Sequence, residues 1–160
     1  MSVERKALVD RLQESHSTTR DVVDGVDSEF PVHTDTGWTV RDILGHIGAW
    51  DIQAAKSLRA FGKGNEHSLG DQDDEAFNQQ QYRRLRELDP QRSHAAWEGA
   101  RDELIAAVEK LPDELGAGVL LYPWGDRGSL AQLVDEMIEH DVEHRDELIG
   151  AISAAGGSVA

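Results

Sequence analysis

Apolar residues recur along this chain at intervals of three and four, the spacing of one helix face, and nowhere alternate over a useful length as a strand would. Over residues 3–26, Leu8, Leu12, Thr19, Val22, Val23 and Val26 form one stripe. A loop follows at 28–38, marked by Pro31 and Gly37. A second helix is predicted from Thr39 to about Phe61, its stripe running through Val40, Ile43, Leu44, Ile47, Trp50, Ala54 and Leu58. Asp42, three residues after Thr39, is placed to cap its start. The Gly-rich polar stretch from Gly62 to Asp74 then connects to a short helix over 75–88, with Phe77, Tyr82, Leu85 and Leu88. Asp89-Pro90 has the order of a cap and a first helical residue. The helix after it, 91–111, presents Trp97, Ala100, Leu104, Ala107, Val108 and Leu111. Pro112 to Gly128 forms a second loop whose VLLYPW stretch is too apolar to be solvated and should pack over one end of the core. A last helix begins at Ser129, with Gln132 completing a capping box. Four long amphipathic helices and one short one predict an all-α fold, a four-helix bundle, over residues 1–152, with 153–160 as a flexible tail.

Charge narrows the function classes. The chain has 31 acids against 16 bases, a net charge of −15. Nucleic acid and anionic membranes are both bound by Lys and Arg neutralising phosphates, so neither is an expected partner. The acids are spread over helix faces, as on a solubilising surface. There is no cysteine, hence no disulfide and no thiolate ligand. No apolar run approaches the roughly 18 residues that span a bilayer, and the charged N-terminus lacks the apolar core of a signal peptide. A cytoplasmic protein acting on a small molecule is the expectation.

Candidate chemistry sits where histidines interrupt apolar stripes. In the last helix Leu130, Leu133, Val134, Met137, Leu148 and Ala151 make the stripe, and His140 and His144 break it one turn apart on the same face. His46, three residues from Ile43 and four from Trp50, lies on or beside the stripe of the second helix. A buried polar group without a partner costs about 1–3 kcal/mol. These imidazoles therefore need either hydrogen bonds to carboxylates and carbonyls or a shared metal ion. Two facing helices of a bundle can bring all three together, and three imidazoles suit a divalent transition metal with a position left open for water or a thiolate. Such an ion would lower the pKa of either ligand. His16, His33, His67 and His94 have no partner at ligand spacing.

Several neighbours are candidates for the same site. HDVEH (His140–His144) matches the H-x-x-E-H pattern of inverted zinc peptidases, but those carry a further carboxylate ligand well downstream and only 16 residues follow here. Glu143 lies roughly −60° from His140 around the helix, so it is placed to edge the site as a proton carrier or as a partner to a ligand. Trp38, Trp50, Tyr82, Tyr122 and Trp124 are candidate pocket walls, with core or loop anchoring as the alternative. Trp97 reads as core. Arg145 points away from the histidine face and is expected in a salt bridge.

GWTVRDILGHIGAWD (Gly37–Asp51), DEAFNQQQYRRL (Asp74–Leu85), YPWGDRGSLAQLV (Tyr122–Val134) and EHDVEHRDEL (Glu139–Leu148) together resemble the DinB superfamily, including YfiT-like metal-dependent hydrolases, thiol-dependent transferases and the ClbS/DfsB bundles. The resemblance spans nearly the whole chain in order. It implies a bundle of up-down-down-up connectivity and a divalent metal, zinc or nickel, on three histidines that map onto His46, His140 and His144. It also implies a low-molecular-weight thiol as a possible cofactor and a homodimer as a possible assembly. Some relatives carry a separate C-terminal domain, and a chain ending soon after its bundle fits a mycothiol-dependent isomerase less well.

Three functions follow from these residues. The first is a metal-dependent hydrolase or S-transferase acting on a small molecule. The second is a non-catalytic bundle that sequesters a small molecule or metal, with Trp50, Tyr122 and Trp124 as its walls. The third is a structural bundle whose histidines hold hydrogen bonds.

Overall fold

In the computed structural model, which describes residues 1–156, five α-helices carry the described chain: α1 (Val3–Val23), α2 (Val40–Gly62), α3 (Asp74–Arg86), α4 (Pro90–Lys110) and α5 (Leu130–Ala154). Their starts follow the cap chemistry. Asp42 accepts the Thr39 N–H at 2.9 Å, Asp89 accepts that of Arg92 at 2.8 Å ahead of Pro90, and Ser129 and Gln132 cap each other reciprocally. Asp73 caps α3 through the Ala76 N–H at 2.6 Å, so that helix begins at Asp74. α1 stops three residues short of Val26, because Gly25 turns the chain at φ +73°, where a side chain would be strained. α5 continues through Ser153 and Ala154, residues expected in the tail; 157–160 lie outside the described residues. Two pieces were not anticipated. Asp113–Leu115 makes a single 3-10 turn, and β1 (Leu120–Leu121) pairs antiparallel with β2 (Arg127–Gly128). Two-residue strands are too short to leave a period in the sequence.

Contacts between helices fix their directions. Arg11 meets Asp135, Ser15 meets Asp141 and Arg145 meets Thr19, so α1 and α5 run parallel. Gly48 faces Trp97 and Ala100, Asp51 meets Arg101 and Gly62 faces Leu111, so α2 and α4 are parallel too. Arg20 with Glu98, and Arg5 with the Leu111 carbonyl, set α1 against α4. The order is therefore up-down-down-up for α1, α2, α4 and α5. Parallel neighbours need a return, and α3 supplies it: Asn78 lies by Trp50 and Arg86 by Asp42, antiparallel to α2. Close approach of α2 and α4 depends on Gly48, where a Cβ would lie 3.2 Å from the Trp97 Cα.

The core is divided into two apolar halves. Leu12, Leu58, Leu104 and Leu133 belong to one, and Ile43, Ile47, Trp97 and Leu148 to the other. Between them lies a buried ionic layer. Arg101 of α4 is 1% exposed and forks to Asp51 of α2 (2.9 and 3.2 Å) and Asp141 of α5 (2.9 and 2.8 Å). It also donates to the Leu12 carbonyl of α1 at 3.0 Å, and Ser15 donates to Asp141 at 2.7 Å. One guanidinium thus ties all four bundle helices. With two carboxylates on one cation, burial pushes Asp51 up to about 6 against the pull of Arg101.

A smaller ionic group closes the α1–α4 seam. Glu98 accepts from Arg20 at 2.6 and 2.9 Å and from His16 at 3.0 Å, and the Arg20 hydrogen bond foremost brings it down to about 2. A depressed carboxylate stabilises fully above its unfolded value of 4.5 and loses that contribution as pH falls toward 2. Glu98→Gln should cost about 1 kcal/mol at neutral pH after solvent screening. Urea midpoints of the two proteins should converge between pH 4.5 and 2; a gap that does not narrow there rejects the assignment. Among the described residues no helix is long and apolar enough to cross a membrane.

Candidate metal centre

α2 and α5 carry the three histidines to one point. The His140 Nε2 lies 3.0 Å from that of His46 and 3.1 Å from that of His144, and one ligand atom from each falls within 4.8 Å of the others. Burial foremost, and neighbouring imidazoles after it, push His46 down to about 2 and His140 down to about 4. Both are neutral at pH 7, the state in which imidazole is a ligand. Hydrogen bonding alone does not satisfy the group. A ring nitrogen either donates one proton or offers one lone pair, so the central His140 Nε2 cannot donate to one neighbour while accepting from the other. Its Nδ1 is buried without a partner among the described residues in either tautomer. Three nitrogen donors aimed at one point fit a divalent transition metal in donor type and number.

The tautomer of His144 is set from behind. Glu147, three residues on, accepts from its Nδ1 at 3.1 Å, which leaves Nε2 as a lone pair facing His140. The same Glu147 oxygen accepts from His33 Nε2 at 2.9 Å. His33 sits on the α1–α2 loop, which is pinned by Val32 N–H to the Trp38 carbonyl and Val40 N–H to the Phe30 carbonyl. Neither Glu147 nor His33 stood out in the sequence. A carboxylate at i+3 from a ligand histidine was the available signal for Glu147; His33 offered none, because its partner is 114 residues away.

The histidines open onto a cleft of about 440 Å³. Trp50 and Trp124 wall it, with ring centroids 6.2 Å apart, and Glu143 lines it. Asn78, Asp74, Glu136 and Met137 line it too. Asn78, from α3, accepts the Trp50 indole N–H at 2.9 Å. Two of the expected wall residues lie elsewhere. Tyr82 stacks on Trp38, 5.5 Å away and nearly parallel, and it is Trp38 that approaches His46 at 5.7 Å. Tyr122 is buried and donates to the Ser129 carbonyl at 2.6 Å; it backs Trp124 and lines the adjoining depression. Helix rotation and hairpin geometry decide both placements, and residue type does not. Arg145 makes hydrogen bonds to Ser15 and Thr19 of α1 rather than a salt bridge.

Residues 9–143 match the family described as the mycothiol maleylpyruvate isomerase N-terminal domain. The chain belongs to that family. It is thereby a DinB-like bundle, as the quoted motifs implied. The family match contains His46 and His140, and His144 follows it directly. Two solved structures share the fold. A histidine-to-alanine mutant of mycothiol-dependent maleylpyruvate isomerase aligns with a TM-score of 0.75 at 16% identity, over 90% of this chain and 60% of that one. YfiT from Bacillus subtilis, described as a probable metal-dependent hydrolase with an unusual four-helix bundle topology, aligns at 0.71 and 17% identity, over 99% of this chain and 91% of that one. At such identities the likeness is one of fold, and the chain spans only about three fifths of the isomerase structure. No curated protein matches the chain in sequence.

Proposed function

We propose that this protein is a metal-dependent enzyme acting on a small molecule, as a hydrolase or S-transferase, with zinc or nickel held by His46, His140 and His144. The observation that carries the proposal is the convergence of three imidazole nitrogens at the floor of an open cleft. When bound, the ion supplies Lewis acidity and lowers the pKa of water or thiol at its open position. The residues of the chain do the rest. Glu147 keeps the His144 Nε2 lone pair turned inward. Trp50 and Trp124 hold apolar parts of the substrate and exclude water from them. Glu143, exposed on the cleft wall, accepts the proton released by the attacking water or thiol and returns it to the leaving group. A low-molecular-weight thiol is a candidate co-substrate, supported by the mycothiol-dependent protein of the same fold.

The test is metal content measured on protein purified without tag or chelator. Near one equivalent of transition metal in the wild type, with at least about tenfold weaker binding in His46→Ala, is the expected result. Turnover of thiol or ester substrates that disappears in the same variant supports an enzyme. A ligand that binds without turnover favours the sequestering protein. A wild type that takes up no zinc, nickel or cobalt on titration removes the proposal.

A further inference from the structure

Three carboxylates line the cleft around the imidazoles. Glu136 and Glu143 stand about one turn to either side of His140 on α5, and Asp74 is the first residue of α3. Among the described residues no lysine or arginine lines this cleft. Several surface acids have partners, Asp135 with Arg11, Glu66 with Arg127 and Glu147 with His33 and His144, and what distinguishes the cleft is that its three acids share one concave wall with two indoles. Asp74, Glu136 and Glu143 have no hydrogen-bond or ion-pair partner among the described residues. The depression behind Trp124 continues the same sign with Asp126 and Glu139, and its one cation, Arg127, is forked to Glu66 at 2.7 and 3.1 Å.

Unmatched carboxylates beside indole faces are the combination that holds an organic cation, by Coulomb attraction and by cation–π contact. Three carboxylates outnumber the two charges of a divalent ion, so the cleft stays negative even with the metal bound. We propose that the cleft selects small molecules whose part facing away from the metal carries a positive charge, an amine or quaternary ammonium, and rejects carboxylate-bearing ones. The proposal rests on the metal-centre reading for where the reacting group lies; the charge preference belongs to Glu136, Glu143 and Asp74 themselves.

The test uses cobalt-loaded protein and three thiols of similar size: cysteamine, 2-mercaptoethanol and 3-mercaptopropionate. Thiolate coordination is read from its charge-transfer absorption. The thiols differ in acidity, so the quantity of interest is the cysteamine-to-mercaptopropionate affinity ratio in wild type divided by that in Glu136→Gln/Glu143→Gln. Intrinsic acidity cancels in this quotient. A quotient of about ten or more at low ionic strength, shrinking with added salt, is expected. A quotient near one overturns the proposal, provided both proteins hold the same cobalt.

Should the wild type hold no cobalt, the metal-centre reading fails by itself and the charge preference is read on the metal-free chain. Fluorescence quenching that is lost in Trp124→Phe is compared for cationic 1-methylnicotinamide and for iodide. Stronger quenching by the cation in wild type than in the double variant upholds the proposal. Equal quenching in the two proteins overturns it.

Discussion

Arg101→Met is expected to destabilise the bundle more than any other single substitution away from the metal centre. The guanidinium is 1% exposed and holds two carboxylates that are themselves sealed from water. Its removal leaves Asp51 and Asp141 facing each other without a cation, and it frees the Leu12 carbonyl. Breaking one member out of a buried ionic group costs about 3–5 kcal/mol, a large part of the roughly 5–15 kcal/mol that holds a domain folded. The loss has a pH signature. Asp51 already sits near 6 beside Arg101, above its unfolded value of 3.8. Without Arg101 the folded Asp51 carboxyl binds a proton more readily still, while the unfolded one does not change. The folded variant therefore gains protons relative to the unfolded chain as pH falls, and its deficit against wild type narrows from pH 7 toward pH 5. Urea denaturation followed by circular dichroism reads both effects. Asp51→Leu/Arg101→Met/Asp141→Leu, which removes every charge of the layer, should regain much of the loss. A single variant within 1 kcal/mol of wild type, or a deficit that widens on acidification, contradicts the role given to Arg101.

Glu147→Ala is expected to weaken metal binding by about 10–100-fold while leaving the fold in place. Glu147 touches no substrate; it positions His144 by accepting from Nδ1, and His33 steadies it from the loop. Without the acceptor, His144 adopts either tautomer and turns about its side-chain bonds, so its Nε2 lone pair points inward only part of the time. Glu147→Gln keeps an acceptor oxygen and should retain most of the affinity. Titration with zinc against a competing chelator measures this. The urea midpoint of the metal-free protein separates positioning from folding, because Glu147 is 31% exposed and its loss should move that midpoint little. Equal zinc affinity in wild type and Glu147→Ala would show that His144 is held by packing alone.

Apolar periodicity and cap chemistry are local, so the helices, their capped starts and the all-α class could be read from neighbours in the chain. The pair His140 and His144 was legible for the same reason, since residues one turn apart share a face whatever the helix packs against. His46 was legible because it sat beside Ile43 and Trp50 on a stripe that had to be buried. Glu143 was placed at the edge of the site by helix rotation alone.

What lies between elements was not legible. Arg101, Asp51 and Asp141 look like ordinary charged helix residues, and only the meeting of α2, α4 and α5 makes them one buried group. Tyr82 and Tyr122 have the residue type of a pocket wall, yet the rotation of α3 and the β1–β2 hairpin send them to Trp38 and to the Ser129 carbonyl. His33 and Glu147 meet across 114 residues, a pairing no local spacing encodes. The sequence by itself determined the helices and the histidines that interrupt their apolar faces, because both depend on a 3.6-residue repeat. Tertiary structure decided which charges are buried together, which carboxylate orients a ligand and which acids are left unmatched around the cleft, because those depend on distances between chain segments that only packing sets.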